Sequence, residues 1–165
     1  MHCPPPKRFQ PVSEVTWATL SDETPQFAQN RKRARGRKRT GIVYEKKGHE
    51  FFTEKFGNAY LPGPWIRFND AGKMRWCQPD ALVFSPFESR ITILEFKYQH
   101  TSDAWWQLTK LYRPVVQRLF PEWQLRICEV VKWYDCDRVF PEPVRLVPDF
   151  DRLTASDFGV HIWKP

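Results

Sequence analysis

Apolar positions recur along this chain in two ways: short runs or alternation, as in strands, and three-to-four spacing, as in helices. Residues 41–56 follow the second pattern, with Glu45, His49, Phe52 and Phe56 spaced by four, three and four along one stripe of a predicted amphipathic helix. Trp65-Ile66-Arg67-Phe68 reads as a strand that turns at Asn69-Asp70-Ala71-Gly72 into residues 73–78. Two further runs, Ala81-Leu82-Val83-Phe84 and Ile91-Thr92-Ile93-Leu94-Glu95-Phe96, flank Ser85-Pro86-Phe87-Glu88-Ser89-Arg90, whose Pro and Ser suit a turn. The expectation is a meander of three strands ending in a β-hairpin. Thr101-Ser102-Asp103 supplies N-cap oxygens for a second helix reaching Phe120, in which Pro114 should produce a kink or end the regular hydrogen bonding. Residues 124–133 form a returning strand beside that of Glu95, and residues 144–147 and 159–163 are edge strands or loops. No internal repeat is visible.

Three charges interrupt the hairpin pattern. Asp80, Glu95 and Lys97 lie in or beside apolar runs, where an unpaired charge costs several kcal/mol or more. A hairpin symmetric about its loop sets Phe84 against Ile91 and Asp80 against Glu95, and strand alternation puts Lys97 on the same face as Glu95. Two carboxylates that close repel unless a proton or cation lies between them, and a hard cation such as Mg²⁺ prefers oxygen ligands. The bland alternative is a cross-strand ion pair of Lys97 with Asp80 or Glu95 on a half-solvated sheet. Against it, residues 91–96 are apolar on both faces apart from Thr92 and Glu95, as in a central strand.

Pro79-Asp80, a loop, then Glu95-Phe96-Lys97 preceded by apolar residues resembles the signature of the PD-(D/E)XK nuclease superfamily. The resemblance spans residues 41–133. It implies an α/β fold, a central mixed β-sheet flanked by helices (restriction-endonuclease-like), with Asp80 and Glu95 as metal ligands, joined by the backbone carbonyl of Phe96. Lys97 takes the place of the catalytic lysine. Glu45 matches the small-x-x-x-Glu pattern that opens the first helix in related members, and is the choice for a further carboxylate over Glu50, which shares a different stripe with Glu54. Gln107 matches the glutamine that follows the lysine in exonuclease-like branches. The implied activity is Mg²⁺-dependent DNA endonuclease cleavage, with Mn²⁺ able to substitute, structure-guided or weakly sequence-specific. Members of this size are often encoded by phages or mobile elements and often dimerise to cut both strands, so a homodimer is an expectation of the resemblance alone. A non-catalytic DNA-binding or virus-particle assembly protein on the same fold is the alternative. An RNA-directed nuclease is a weaker one, since no RNA-recognition motif is present.

Charge sharpens this picture. Arg31, Lys32, Arg33, Arg35, Arg37, Lys38 and Arg39 form a block without an acidic residue, and removing those seven from the 26 basic residues leaves as many as the 19 acidic ones. The whole excess of +7 therefore resides in one segment suited to neutralising phosphates, which makes DNA the expected partner. Residues 1–30, with Pro4, Pro5, Pro6, Pro11 and Pro25, read as an irregular extension, residues 31–40 as a mobile basic arm, and residues 41–165 as one nuclease-like domain. At 165 residues the chain can bury a single core, rich in Trp and Phe. Cys3, Cys77, Cys128 and Cys136 lack metal-ligand spacing and read as isolated reduced thiols. With no apolar run of membrane-spanning length and no apolar signal region, the expectation is no membrane association and a cytoplasmic setting, that of a host cell if phage-encoded, with a virion as the other location. No small-molecule organic cofactor is expected.

Overall fold

Strand β6, Arg90–Gln99, runs through the middle of the molecule because it is apolar on both faces, buried without interruption from Ile91 to Phe96. The computed structural model describes residues 3–29, 35–135 and 143–165. β6 pairs antiparallel with β5, Ala81–Ser85, and parallel with β7, Gln124–Trp133. β2 (Tyr60–Pro62) borders β5, while β9 (Phe158–Ile162) and β8 (Val144–Leu146) continue beyond β7. The result is an α/β architecture around a six-stranded mixed sheet. Phe84 pairs with Ile91, the register the hairpin pattern predicts, and a short 3₁₀ turn at Pro86–Glu88 closes the loop.

Helix α2, Arg37–Phe56, covers one face. Its buried stripe is Tyr44, Gly48 and Phe52, one position ahead of the expected stripe of Glu45 and His49. Close approach explains the offset. The ring of Phe96 lies where a side chain on Gly48 would stand, with Cε1 only 2.4 Å from an ideal Cβ. Around it, Phe52 packs against Phe56, Tyr60, Phe96, Phe150 and Trp163. A glycine that weakens an isolated helix is thus what lets this helix reach the sheet.

The opposite face carries α3, Ser102–Gln107, one π-helical turn at Leu108–Tyr112, and α4, Arg113–Leu119. Thr101 caps α3 by accepting the Asp103 N–H at 3.3 Å, as its sequence position predicts. Pro114 sits in the first turn of α4, where its missing N–H costs little, so the expected kink is a change of helix type just before it. Ala104, Leu108, Tyr112, Val115 and Val116 bury against Ile91, Ile93, Leu125 and Ile127.

Three expectations change in three dimensions. The N-terminal extension is not wholly irregular: Val15–Ser21 forms β1, and a single turn, α1, spans Gln26–Gln29. β1 pairs with β3 (Trp65–Asp70), which pairs with β4 (Lys73–Cys77), making a separate three-stranded sheet. The meander therefore splits, and Gln78-Pro79 carries the chain from one sheet to the other. Asp70 fastens the extension by accepting the N–H groups of Ser13 and Glu14 at 3.0 and 2.9 Å and pairing with Arg75 at 2.6 Å. Burial works against the Asp70 carboxylate, but these donors outweigh it and hold its pKa down at about 2. The basic arm is likewise shorter than expected, because α2 begins at Arg37 rather than Gly41. Among the described residues no helix is long and apolar enough to cross a membrane.

Gly48→Ala should gain roughly 1 kcal/mol of helix propensity and lose more to overpacking against Phe96, for a net destabilisation of about 1–2 kcal/mol. Chemical denaturation measures this directly, and a stabilised variant would show that the Phe96 ring can yield.

Candidate functional site

Asp80 stands one position before β5, at the point where Ala81 pairs with Leu94, so the ladder carries it towards Glu95. Its position is over-determined. Its backbone carbonyl accepts the N–H of Gly63 at 2.7 Å, Gly63 adopts φ 51°, and Gln78 Nε2 donates to the Gly63 carbonyl at 2.9 Å. The Asp80 carboxylate accepts the N–H of Phe96 through Oδ2 at 2.6 Å. A strand residue sends its N–H and C=O to the same side, so the Phe96 carbonyl faces this flank as well.

Glu95 is buried, and its Oε1 accepts from Lys97 Nζ at 2.7 Å, which places the two on one face as alternation requires. Its Oε2 is buried without a hydrogen-bond partner. Burial pushes the Asp80 carboxyl well above its ordinary range, and the charges of Glu95 and Glu45 push it further, against the Phe96 N–H and Lys97. Burial raises Glu95 too, with Lys97 opposing, Glu45 adding, and a hydrogen bond with the Asp80 carboxyl acting downwards. For Lys97 burial acts downwards, yet Glu95, Asp80 and Glu129 hold it above its ordinary value and so protonated.

Glu45 enters from α2, half-exposed, and lies 3.5 Å from His49 Nε2. His49 Nδ1 is in turn 2.7 Å from the Tyr60 hydroxyl, and burial, Asp80 and Glu45 all raise the Tyr60 pKa. Glu45 therefore belongs to this group electrostatically. Glu50 is exposed and is not among the charges acting on Asp80 or Glu95.

Gln107 approaches from the other face. Its Nε2 is 3.5 Å from the Tyr112 hydroxyl, and its Oε1 is buried without a partner. Tyr112 is five positions on, one too many for an α-helical stripe. The π turn at Leu108–Tyr112 absorbs the extra residue. Burial and the charges of Glu95 and Asp80 raise the Tyr112 pKa, which ties this phenol to the same cluster.

Sequence reasoning passed over two more groups, Glu129 and His100. Glu129 pairs in register with Glu95 on the neighbouring parallel strand, fully buried, and accepts from His100 Nδ1 at 2.6 Å and from the Thr101 N–H at 3.2 Å. Burial raises its pKa against the opposing His100, Thr101 and Lys97. A charge within Ile127-Cys128-Glu129-Val130-Val131 is the very signal that marks Glu95, so it was open to detection.

Asp80, Glu95 and the Phe96 carbonyl could hold a hard divalent cation, and the orphaned Oε2 of Glu95 fits that role. Among the described residues, no three His, Cys, Asp or Glu side chains form a metal-binding group by themselves. A cation there would take its remaining ligands from water and substrate, as Mg²⁺ commonly does with one or two protein carboxylates.

In the basic segment, Arg31, Lys32 and Arg33 lie outside the described residues, as does Cys136. Arg35 is exposed, and Arg37, Lys38 and Arg39 form the exposed first turn of α2. Cations at a helix N-terminus oppose its dipole, typically at about 0.3–1 kcal/mol each, so a bound polyanion would relieve them. Comparison of the chain with family models, with curated proteins and with solved structures gave no match.

The raised carboxyl groups make stability depend on pH. Between the ordinary values, 3.8 for Asp80 and 4.5 for Glu95, and their higher folded values, the native state binds more protons than the unfolded one, so stability falls as pH rises through that window. Asp80→Asn keeps an acceptor for the Phe96 N–H and removes one charge. Its metal-free unfolding free energy should exceed that of the wild type at pH 8 and fall less between pH 5 and 8, by about 1.4 kcal/mol for every tenfold difference in proton affinity between folded and unfolded chain that the substitution abolishes, as denaturant titration at each pH would measure. Parallel pH profiles for the two proteins would count against mutual repulsion at this site.

Proposed function

We propose that this protein is a Mg²⁺-dependent DNA endonuclease on a restriction-endonuclease-like fold, hydrolysing phosphodiester bonds at a centre formed by Asp80, Glu95 and Lys97. What carries the reading is the meeting of two pKa-raised carboxyl groups and an ammonium at the end of a buried central strand, with Glu95 Oε2 left without a partner. Such convergence is expensive in a purely structural role and useful in a catalytic one.

A bound Mg²⁺, or Mn²⁺ in its place, supplies Lewis-acid polarisation of the phosphate and a more acidic water. Asp80 and Glu95 would hold it, with the Phe96 carbonyl on the same flank. Lys97 remains protonated beside Glu95 and offers a point donor to a phosphate oxygen or to the attacking water, offsetting charge that builds on the phosphorane. Glu45 adds a carboxylate at the exposed side, within reach of a water. Gln107 and Tyr112 close the opposite side, where the unpartnered Gln107 Oε1 can orient a water or fix the Lys97 region. The arm from Arg31 to Arg39 binds phosphates whatever the sequence, which fits structure-guided or weakly sequence-specific cleavage.

Nicking of supercoiled plasmid and cutting of a four-way junction, each in Mg²⁺, Mn²⁺ and EDTA, test the reading. Cleavage should require the metal, disappear in Asp80→Ala and Glu95→Ala, and fall about 100-fold or more in Lys97→Ala. Normal cleavage by Asp80→Ala would refute the assignments. DNA binding without cleavage in either metal would instead define a non-catalytic DNA-binding protein.

A further inference from the structure

A cavity of about 400 Å³ opens between the first turns of α2 and the C-terminal ends of β6 and β7. Arg39, Val43 and Lys47, spaced four apart on α2, form one wall, and Tyr98 of β6 and Lys132 of β7 form the other. Tyr98 and Lys132 share a face, because the ladder pairs Lys97 with Val131 and Gln99 with Trp133 on either side of them. Buried Tyr44 forms the floor, its ring perpendicular to that of Tyr98 with centroids 5.9 Å apart.

The lining has a definite chemistry. Its side chains carry three cations and no acid, and Pro165 lines it as well. Among the described residues none of the three takes part in an ion pair. Lys132 is held instead over aromatic faces, its Nζ 5.2 Å from the Tyr98 centroid and 5.6 Å from that of Trp133. Those contacts leave its charge uncancelled. Converging like charges are relieved by a polyanion, which supplies the phosphate half of a ligand. The exposed ring of Tyr98 supplies the other half, since an aromatic face beside cations stacks a nucleobase. Bases inside a duplex are stacked on both faces, so an internal nucleotide can reach Tyr98 only when it is unpaired. The volume falls within the range of small-ligand pockets and suits one nucleotide rather than a helix. Tyr98 also follows Lys97 on β6, and Tyr44 precedes Glu45 on α2, so the same two elements serve the cavity and the candidate site.

We propose that this cavity binds one unpaired nucleotide of a DNA strand, its base against Tyr98 and its phosphate among Arg39, Lys47 and Lys132. The inference rests on the reading of the protein as DNA-binding and not on cleavage, and it makes DNA with unpaired nucleotides, such as single-stranded tails, flaps or gaps, the favoured substrate class.

Fluorescence anisotropy with the full chain in EDTA separates the two readings, using labelled oligo-dT, oligo-U and a blunt duplex of equal length. Tyr98→Ala should weaken oligo-dT binding about tenfold and leave duplex binding unchanged, while Tyr98→Phe keeps both. The pair Lys47→Ala and Lys132→Ala should weaken oligo-dT more than duplex. An unchanged oligo-dT affinity in Tyr98→Ala, an equal loss for duplex, or a preference for oligo-U would overturn the proposal. Oligo-dT binding with the expected Tyr98 dependence, alongside absent plasmid nicking, would sustain it while defeating the endonuclease reading.

Discussion

The repulsion between Asp80 and Glu95, set where neither is well solvated, is what the surrounding structure answers. The Phe96 N–H meets one carboxylate and Lys97 meets the other, while Gly63 and Gln78 hold the backbone that presents Asp80. All of this depends on the β5–β6 register. A slip of one residue would turn Glu95 and Lys97 to the α2 face and put Leu94 and Phe96 in their place. Register is secure here because both faces of β6 are buried, so a slip would expose no apolar residue to water but would drive charges into an aromatic core.

Each layer contributes to the same point. From one side α2 brings Glu45, and it can lie close only because Gly48 leaves room for the Phe96 ring. From the other, the π turn rotates Tyr112 into line with Gln107. Behind Glu95, the parallel partner Glu129 is balanced by His100 at the end of β6. The centre is thus a cluster of three buried acids met by Lys97 and His100, rather than a single pair.

Positive charge is segregated from this acidic centre. The first turn of α2 carries Arg37, Lys38 and Arg39 against its own dipole, and the cavity below it gathers Lys47 and Lys132. An acidic centre flanked by a basic margin is the arrangement that the proposed cleavage of a phosphodiester chain would call for, with the margin supplying binding. Tyr98 and Trp133 give that margin its aromatic character.

Much of the hairpin was legible beforehand, because its information is local: two apolar runs, a six-residue loop and a period of two place Phe84 against Ile91 and Lys97 beside Glu95. The Thr101 cap and the strand from Gln124 to Trp133 were legible for the same reason. The pairing of β1 with β3, the break of the meander at Gln78-Pro79 and the contact of His100 with Glu129 were not. Periodicity gives the phase of side chains within one element, so the amino-acid sequence by itself determined which residues share a face. Which distant faces meet is decided by competition for burial among all the elements at once. Only the tertiary structure could therefore bring Glu45 and Tyr112 to the carboxylates, and gather Arg39, Tyr98 and Lys132 around one cavity.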